Sequence, residues 1–208
     1  MFKSLSLKVI IFGFIFTFFS SFGQSFFIGL FNPSVRDALN ISHGQFGSIY
    51  ATATLLSSFL FIWVGKKIDD INVLRFALYV TVLLSFSCFF FSKISSIVFL
   101  FIAIFLMRFS GQGMMSHTAS TTISRYFTKS RGKALSIGWF GLSVAEFILP
   151  VTIIYLLTIY NWQNIWIFIS LLVLVFLPIA SYFLIKELNL DSRENAENNE
   201  VKLSLIHI

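Results

Sequence analysis

Six apolar stretches, each close to the length that crosses a lipid bilayer, fill most of this 208-residue chain, and nearly every charge lies in the gaps between them. A bilayer core of roughly 30 Å takes about 20 apolar residues of helix. The stretches fall at about 8–31, 44–64, 74–92, 97–118, 134–158 and 163–185. They are about twice as long as a transmembrane strand and lack its two-residue alternation. Backbone polar groups in hydrocarbon must be paired within their own segment, so each stretch reads as a helix. The expected fold is therefore an all-α integral membrane protein. A six-helix transmembrane bundle covers residues 1–185, and a polar tail follows over 186–208. A mean hydropathy of +0.86, with 12% charged residues, fits a bilayer better than a water-soluble core.

The first stretch follows the basic start Met1-Phe2-Lys3, as a secretory signal would, and Ser21-Phe22-Gly23 resembles a cleavage site. The apolar run continues past it to spanning length, which favours an uncleaved first helix ending at Asn32-Pro33. Asn40 to His43 mark the start of the second helix as a capping region.

The charge distribution sets the topology. With the N-terminus inside, the inner gaps hold Lys3, Lys8, Lys66, Lys67, Arg75, Arg125, Lys129, Arg131, Lys133, Lys186, Arg193 and Lys202. The outer gaps hold Arg36 and Lys93, and only Arg108 lies within a span. This bias predicts both termini in the cytoplasm, in a bacterial inner or plasma membrane. The net charge of +6 is thus spent on topology and forms no nucleic-acid face. The single cysteine, Cys88, cannot close an internal disulfide and reads as a packing residue.

Polar residues inside the spans carry the functional information. Arg108 lies about eleven residues into the fourth span, roughly 16 Å deep. A central arginine costs about 2.5–3.5 kcal/mol to insert, so it needs a partner or an aqueous cavity. A structural ion pair and a substrate or coupling role both satisfy that requirement. Glu146 lies about twelve residues into the fifth span, roughly 18 Å from the opposite end, so the two charges match in depth. Pairing of Arg108 with Glu146, directly or through one group, is the expectation, with Glu146 as a proton-coupling candidate. Gln112 lies one turn from Arg108; Gln24 and His117 are further candidates for substrate or coupling contacts, against interhelical hydrogen bonding. Gly111, Gly113, Gly138 and Gly141 are expected at close helix crossings, and Pro150 at a kink.

Several segments together resemble the N-terminal half of a major facilitator superfamily transporter. Gly65-Lys66-Lys67-Ile68-Asp69-Asp70-Ile71-Asn72-Val73-Leu74-Arg75 is similar to that family's Gly-x-x-x-Asp-basic-x-Gly-basic-basic loop. Gly65 and Asp69 match. Asp70 replaces a basic residue, Asn72 replaces glycine, and Arg75 is displaced by one. Arg108-Phe109-Ser110-Gly111-Gln112-Gly113 resembles the family's Arg-and-Gly pattern in helix 4. Arg125-Tyr126-Phe127 with Arg131-Gly132-Lys133-Ala134 resembles the loop before helix 5, and Gly138 to Pro150 resembles the fifth helix. The resemblance spans about residues 8–185. It implies alternating access by two six-helix halves around a midplane site. It also implies a cytoplasmic gating loop at Gly65, Asp69, Arg75, Arg125 and Arg131, and a small-molecule substrate moved with or without a coupling proton or ion.

On this reading the chain is one half. The tail from Lys186 is expected to begin the linker to a missing C-terminal half, and Leu203 to Ile208 resembles translated adapter sequence. Arg108 favours an anionic solute. A six-helix assembly protein and an intramembrane enzyme remain as alternatives. The enzyme would need a nucleophile–base pair or metal ligands, and neither His-Glu-x-x-His nor Gly-x-Ser-x-Gly is present. No cofactor, metal site or catalytic residue is expected, and no phosphate-binding Gly-Lys-Ser/Thr loop supports ATP-driven transport.

Overall fold

The computed structural model describes residues 4–188. Lys3 and the expected linker and adapter-like end beyond Leu188 lie outside the described residues. Among the described residues nine α-helices follow in order: α1 Ser4–Ser20, α2 Ser25–Leu30, α3 Asn32–Leu39, α4 His43–Val64, α5 Val73–Ser92, α6 Ile97–Met107, α7 Ser116–Tyr126, α8 Arg131–Leu157 and α9 Trp162–Ile185. Six helical segments among the described residues are long and apolar enough to cross a membrane: Leu5–Gly23, His43–Asp69, Val73–Ser92, Ile97–Tyr126, Arg131–Leu157 and Trp162–Ile185. The protein is an all-α multi-pass membrane protein.

Two spans depart from simple α-geometry, and the departures position the site. The first span was expected to run unbroken to Phe31. Instead it tightens into a 3-10 turn over Ser21–Gly23 and breaks at Gln24, whose backbone is extended at φ −82° and ψ 156°. Nor does Pro33 end the helical structure. It occupies the first turn of α3, where a missing N–H costs nothing. The fourth span continues from α6 through a wide π-helical stretch, Arg108–Met115, into α7. Such stretches are rare and concentrate at functional sites.

Local signals account for several helix starts. Ser42 caps α4 through a reciprocal box: its Oγ accepts from Gln45 N at 3.2 Å, and Gln45 Oε1 accepts from Ser42 N at 2.8 Å. Asn72, standing where the family pattern has glycine, caps α5 by accepting from Leu74 N at 3.0 Å.

Packing pairs α5 with α9 and α1 with α8. Ser85 and Ser170 hold the first pair, each hydroxyl donating to the other residue's backbone carbonyl at 2.9 Å. In the second pair, Thr17 Oγ1 donates to Gly138 O at 2.7 Å. A Cβ on Gly141 would overlap Phe14 O and Thr17 Oγ1, so this crossing requires glycine. Gly23 and Gly111 meet at a second close crossing, where a Cβ on Gly111 would lie 2.6 Å from Gly23 N. α4 and α8 are the least covered spans, leaving Leu55, Phe59 and Trp63 on one and Phe140, Phe147 and Val151 on the other exposed.

Gly141→Ala is expected to lower the thermal midpoint of the detergent-solubilised protein by overpacking, at about 1–3 kcal/mol. Gly47, in α4, has nothing within 4 Å of its would-be Cβ, so Gly47→Ala should leave the midpoint unchanged or slightly raised. Equal midpoints for the two variants would refute the α1–α8 crossing.

Candidate functional site

The break in the first span exposes a backbone acceptor. In a continuous helix Gly23 O would pair with the N–H four residues on. The extended Gln24 removes that partner, and Arg108 from the fourth span replaces it. Arg108 Nη1 donates to Gly23 O at 3.0 Å and to Ser25 Oγ at 3.3 Å. Tyr50 OH also donates to Ser25 Oγ, at 2.9 Å, and the Tyr50 ring lies 5.4 Å from the Arg108 guanidinium carbon. A cation facing an aromatic ring at this distance is attracted by the ring's quadrupole. The arginine is thus buried, with 7% exposure, and held by neutral groups.

Glu146 does not join it. No ion pair links the two residues, and Glu146 is exposed on α8. Depth was matched by the sequence, but azimuth was not. Gly138, Gly141 and Ala145 are buried, the two glycines against α1. Glu146 follows Ala145 by one residue and so points roughly 100° away from it.

A groove of about 370 Å³ opens beside Arg108. Thr54, Ser57, Ser58 and Phe61 line it from α4, and Trp139 from α8. Arg108, Phe109, Gln112, Ser116, His117 and Ser120 line it from the fourth span. Of the five nominated substrate or coupling residues, Arg108, Gln112 and His117 share this groove, while Gln24 and Glu146 stand outside it. His117 Nε2 lies 3.0 Å from Gly65 O, so that ring is engaged with the end of the second span. Three of the lining residues carry a buried side-chain atom without a hydrogen-bond partner among the described residues: Arg108 Nε, Thr54 Oγ1 and Ser116 Oγ.

Tyr50, Thr54, Ser57, Ser58 and Phe61 were not nominated from sequence. Their spacing of i, i+4, i+7, i+8 and i+11 marks one helical face of an otherwise apolar span, which is a readable signal. The Gly23 carbonyl had no comparable signal.

At the end of the bundle that carries the loop between α4 and α5, Arg125 forms an ion pair with Asp69, and its Nη1 donates to Ile68 O at 3.2 Å. Gly65 serves through its carbonyl to His117. Arg75 and Arg131 are exposed; Arg131 shares a shallow hydroxyl-rich depression with Ser120, Thr121, Ser124 and Arg125. Gly113 packs against the Phe61 ring, and Pro150 lies within α8. Among the described residues no group of His, Cys, Asp and Glu is placed to hold a metal.

The sequence that builds this bundle meets a family model. Residues 13–207 match that of the Major Facilitator Superfamily. The chain belongs to the major facilitator superfamily. It is accordingly a member of a superfamily of secondary transporters. No curated protein and no solved structure matches it.

Arg108→Leu is expected to leave Gly23 O without its side-chain donor and to lower stability by about 1–3 kcal/mol. Glu146→Gln, at an exposed position, should leave the thermal midpoint of the purified protein within error. A midpoint unchanged by Arg108→Leu would show that the guanidinium does not hold the break.

Proposed function

We propose that this chain forms the N-terminal half of a secondary transporter that moves a small anionic solute by alternating access, with the Arg108 groove as its part of the solute path. The observation that carries this reading is a buried guanidinium beside a groove, with no carboxylate partner among the described residues. An intramembrane arginine pairs either with an acid, which neutralises it, or with backbone carbonyls, which do not. Among the described residues Arg108 is held by a carbonyl, a hydroxyl and a ring face, so its charge remains to attract an anion.

The reading places both termini in the cytoplasm of a bacterial plasma membrane, from the loop charges. The Asp69–Arg125 pair then lies on the cytoplasmic side as a latch between the second and fourth spans. The sparsely covered faces of α4 and α8 are the faces a second half would cover. Glu146, on one of them, is the candidate for coupling to a proton; it would act across the interface with that half and not through Arg108.

Uptake of a radiolabelled carboxylate into proteoliposomes tests the function. Arg108→Gln should reduce uptake by at least about tenfold, at equal protein insertion, through loss of one charge-assisted contact. Uptake unaffected by Arg108→Gln would overturn the assignment. Glu146→Gln should flatten the pH dependence of uptake, and an unchanged profile would remove the coupling role. The genomic frame past codon 200 tests the half-transporter reading: six further apolar spans are expected in it.

A further inference from the structure

The fourth span carries its polar residues past the groove to the end of the bundle. Arg108, Gln112, Ser116 and Ser120 line the groove at four-residue spacing. Residues four apart are neighbours on a helix, and Ser124 continues the row into the depression at Arg131. Groove and depression meet at Ser120, which lines both. Ser120 Oγ accepts from Trp139 Nε1 at 3.1 Å, which leaves its own O–H to donate.

The depression measures about 340 Å³, and every described residue that lines it is polar: Ser120, Thr121, Ser124, Arg125 and Arg131. Its two guanidiniums differ. Arg125 is committed, with Nη2 paired to Asp69 and Nη1 donating to Ile68 O, so its charge is balanced. Arg131 is exposed, and among the described residues its side chain has neither an ion pair nor a hydrogen bond. Thr121 and Ser124 are half-buried and likewise make no side-chain hydrogen bond among the described residues. Their hydroxyls are open to solvent, unlike Thr54 Oγ1 and Ser116 Oγ in the groove.

One unbalanced cation beside three hydroxyls is a donor set for an oxyanion. The guanidinium supplies charge-assisted N–H bonds, and each hydroxyl supplies an O–H. Loop cations that only set orientation need no such neighbours. Lys129 and Lys133 are of that kind: they flank Arg131 in sequence and do not line the depression. Residues 126–134 include no acid, so the local potential is positive and draws anions in.

We infer that this depression is a second anion site, which takes a carboxylate or phosphate group on Arg131, Thr121 and Ser124 and is the outer station from which a free solute passes along the fourth span towards Arg108. The site rests on its own lining; its place on a path rests on the transport reading above.

Titration calorimetry of inorganic phosphate into the purified 208-residue chain, in phosphatidylcholine nanodiscs at fixed ionic strength, tests it. Arg131→Gln is expected to weaken phosphate at least about fivefold, through loss of the charge-assisted contact. Lys133→Gln removes the same charge two residues away and should stay within about twofold of the parent chain. Thr121→Val with Ser124→Ala should weaken phosphate at unchanged net charge. Equal weakening by Arg131→Gln and Lys133→Gln would mean that binding follows total charge, which overturns the site, as does no phosphate binding at all. Native mass spectrometry separates the two sources of the anion. An anionic phospholipid that copurifies with the parent chain and is lost in Arg131→Gln would make the depression a headgroup site and overturn its place on the solute path. Carboxylate flux in proteoliposomes without phosphate binding strikes this site alone. Phosphate binding without flux strikes the transport reading, and the path with it.

Discussion

One hydrogen bond organises the centre of this bundle: Arg108 Nη1 to the carbonyl of Gly23, at 3.0 Å. A helix broken inside hydrocarbon leaves backbone groups without partners, which is tolerated only where protein or water supplies substitutes. An arginine in the same region requires polar company. Each feature alone would be unfavourable, and each meets the other's need. The break at Gln24 and the charge at Arg108 are therefore one device, and the Gly23–Gly111 contact brings the two spans close enough for it to form.

Around that contact the fold divides into covered and uncovered parts. The α5–α9 and α1–α8 pairs are closely packed, with small residues and hydroxyl-to-carbonyl hydrogen bonds at their seams. Such seams suit lipid, where apolar contact between helices gains little over contact with acyl chains. The faces of α4 and α8 are open. The groove lies along the fourth span, with walls from α4 and α8, so it borders the least covered part of the bundle. A site at that border can change its lining as neighbouring elements move, as alternating access requires.

The architecture was legible in the sequence because length and hydropathy dictate it in a bilayer. Six spans and the depth of Arg108 follow from counting. The close crossings at Gly111 and Gly141 follow from residue size. The broken first span was not legible. Nothing in Phe22-Gly23-Gln24-Ser25 demands an extended residue, and the break is sustained by Arg108, eighty-four residues away from Gln24. Azimuth was the other loss. Matching depths suggested that Arg108 and Glu146 meet, but the small residues of α8 turn towards α1 and carry Glu146 round to an exposed face. The π-helical stretch from Arg108 to Met115 adds a further rotation that a 3.6-residue period does not anticipate.

The reciprocal bonds between Ser85 and Ser170 carry a mechanical consequence. Each hydroxyl reaches into the opposite backbone, so sliding one helix along the other severs both links at once, with no intermediate register to receive them. Shear between α5 and α9 at that point therefore costs two hydrogen bonds together, and swinging the pair as a single strut costs neither.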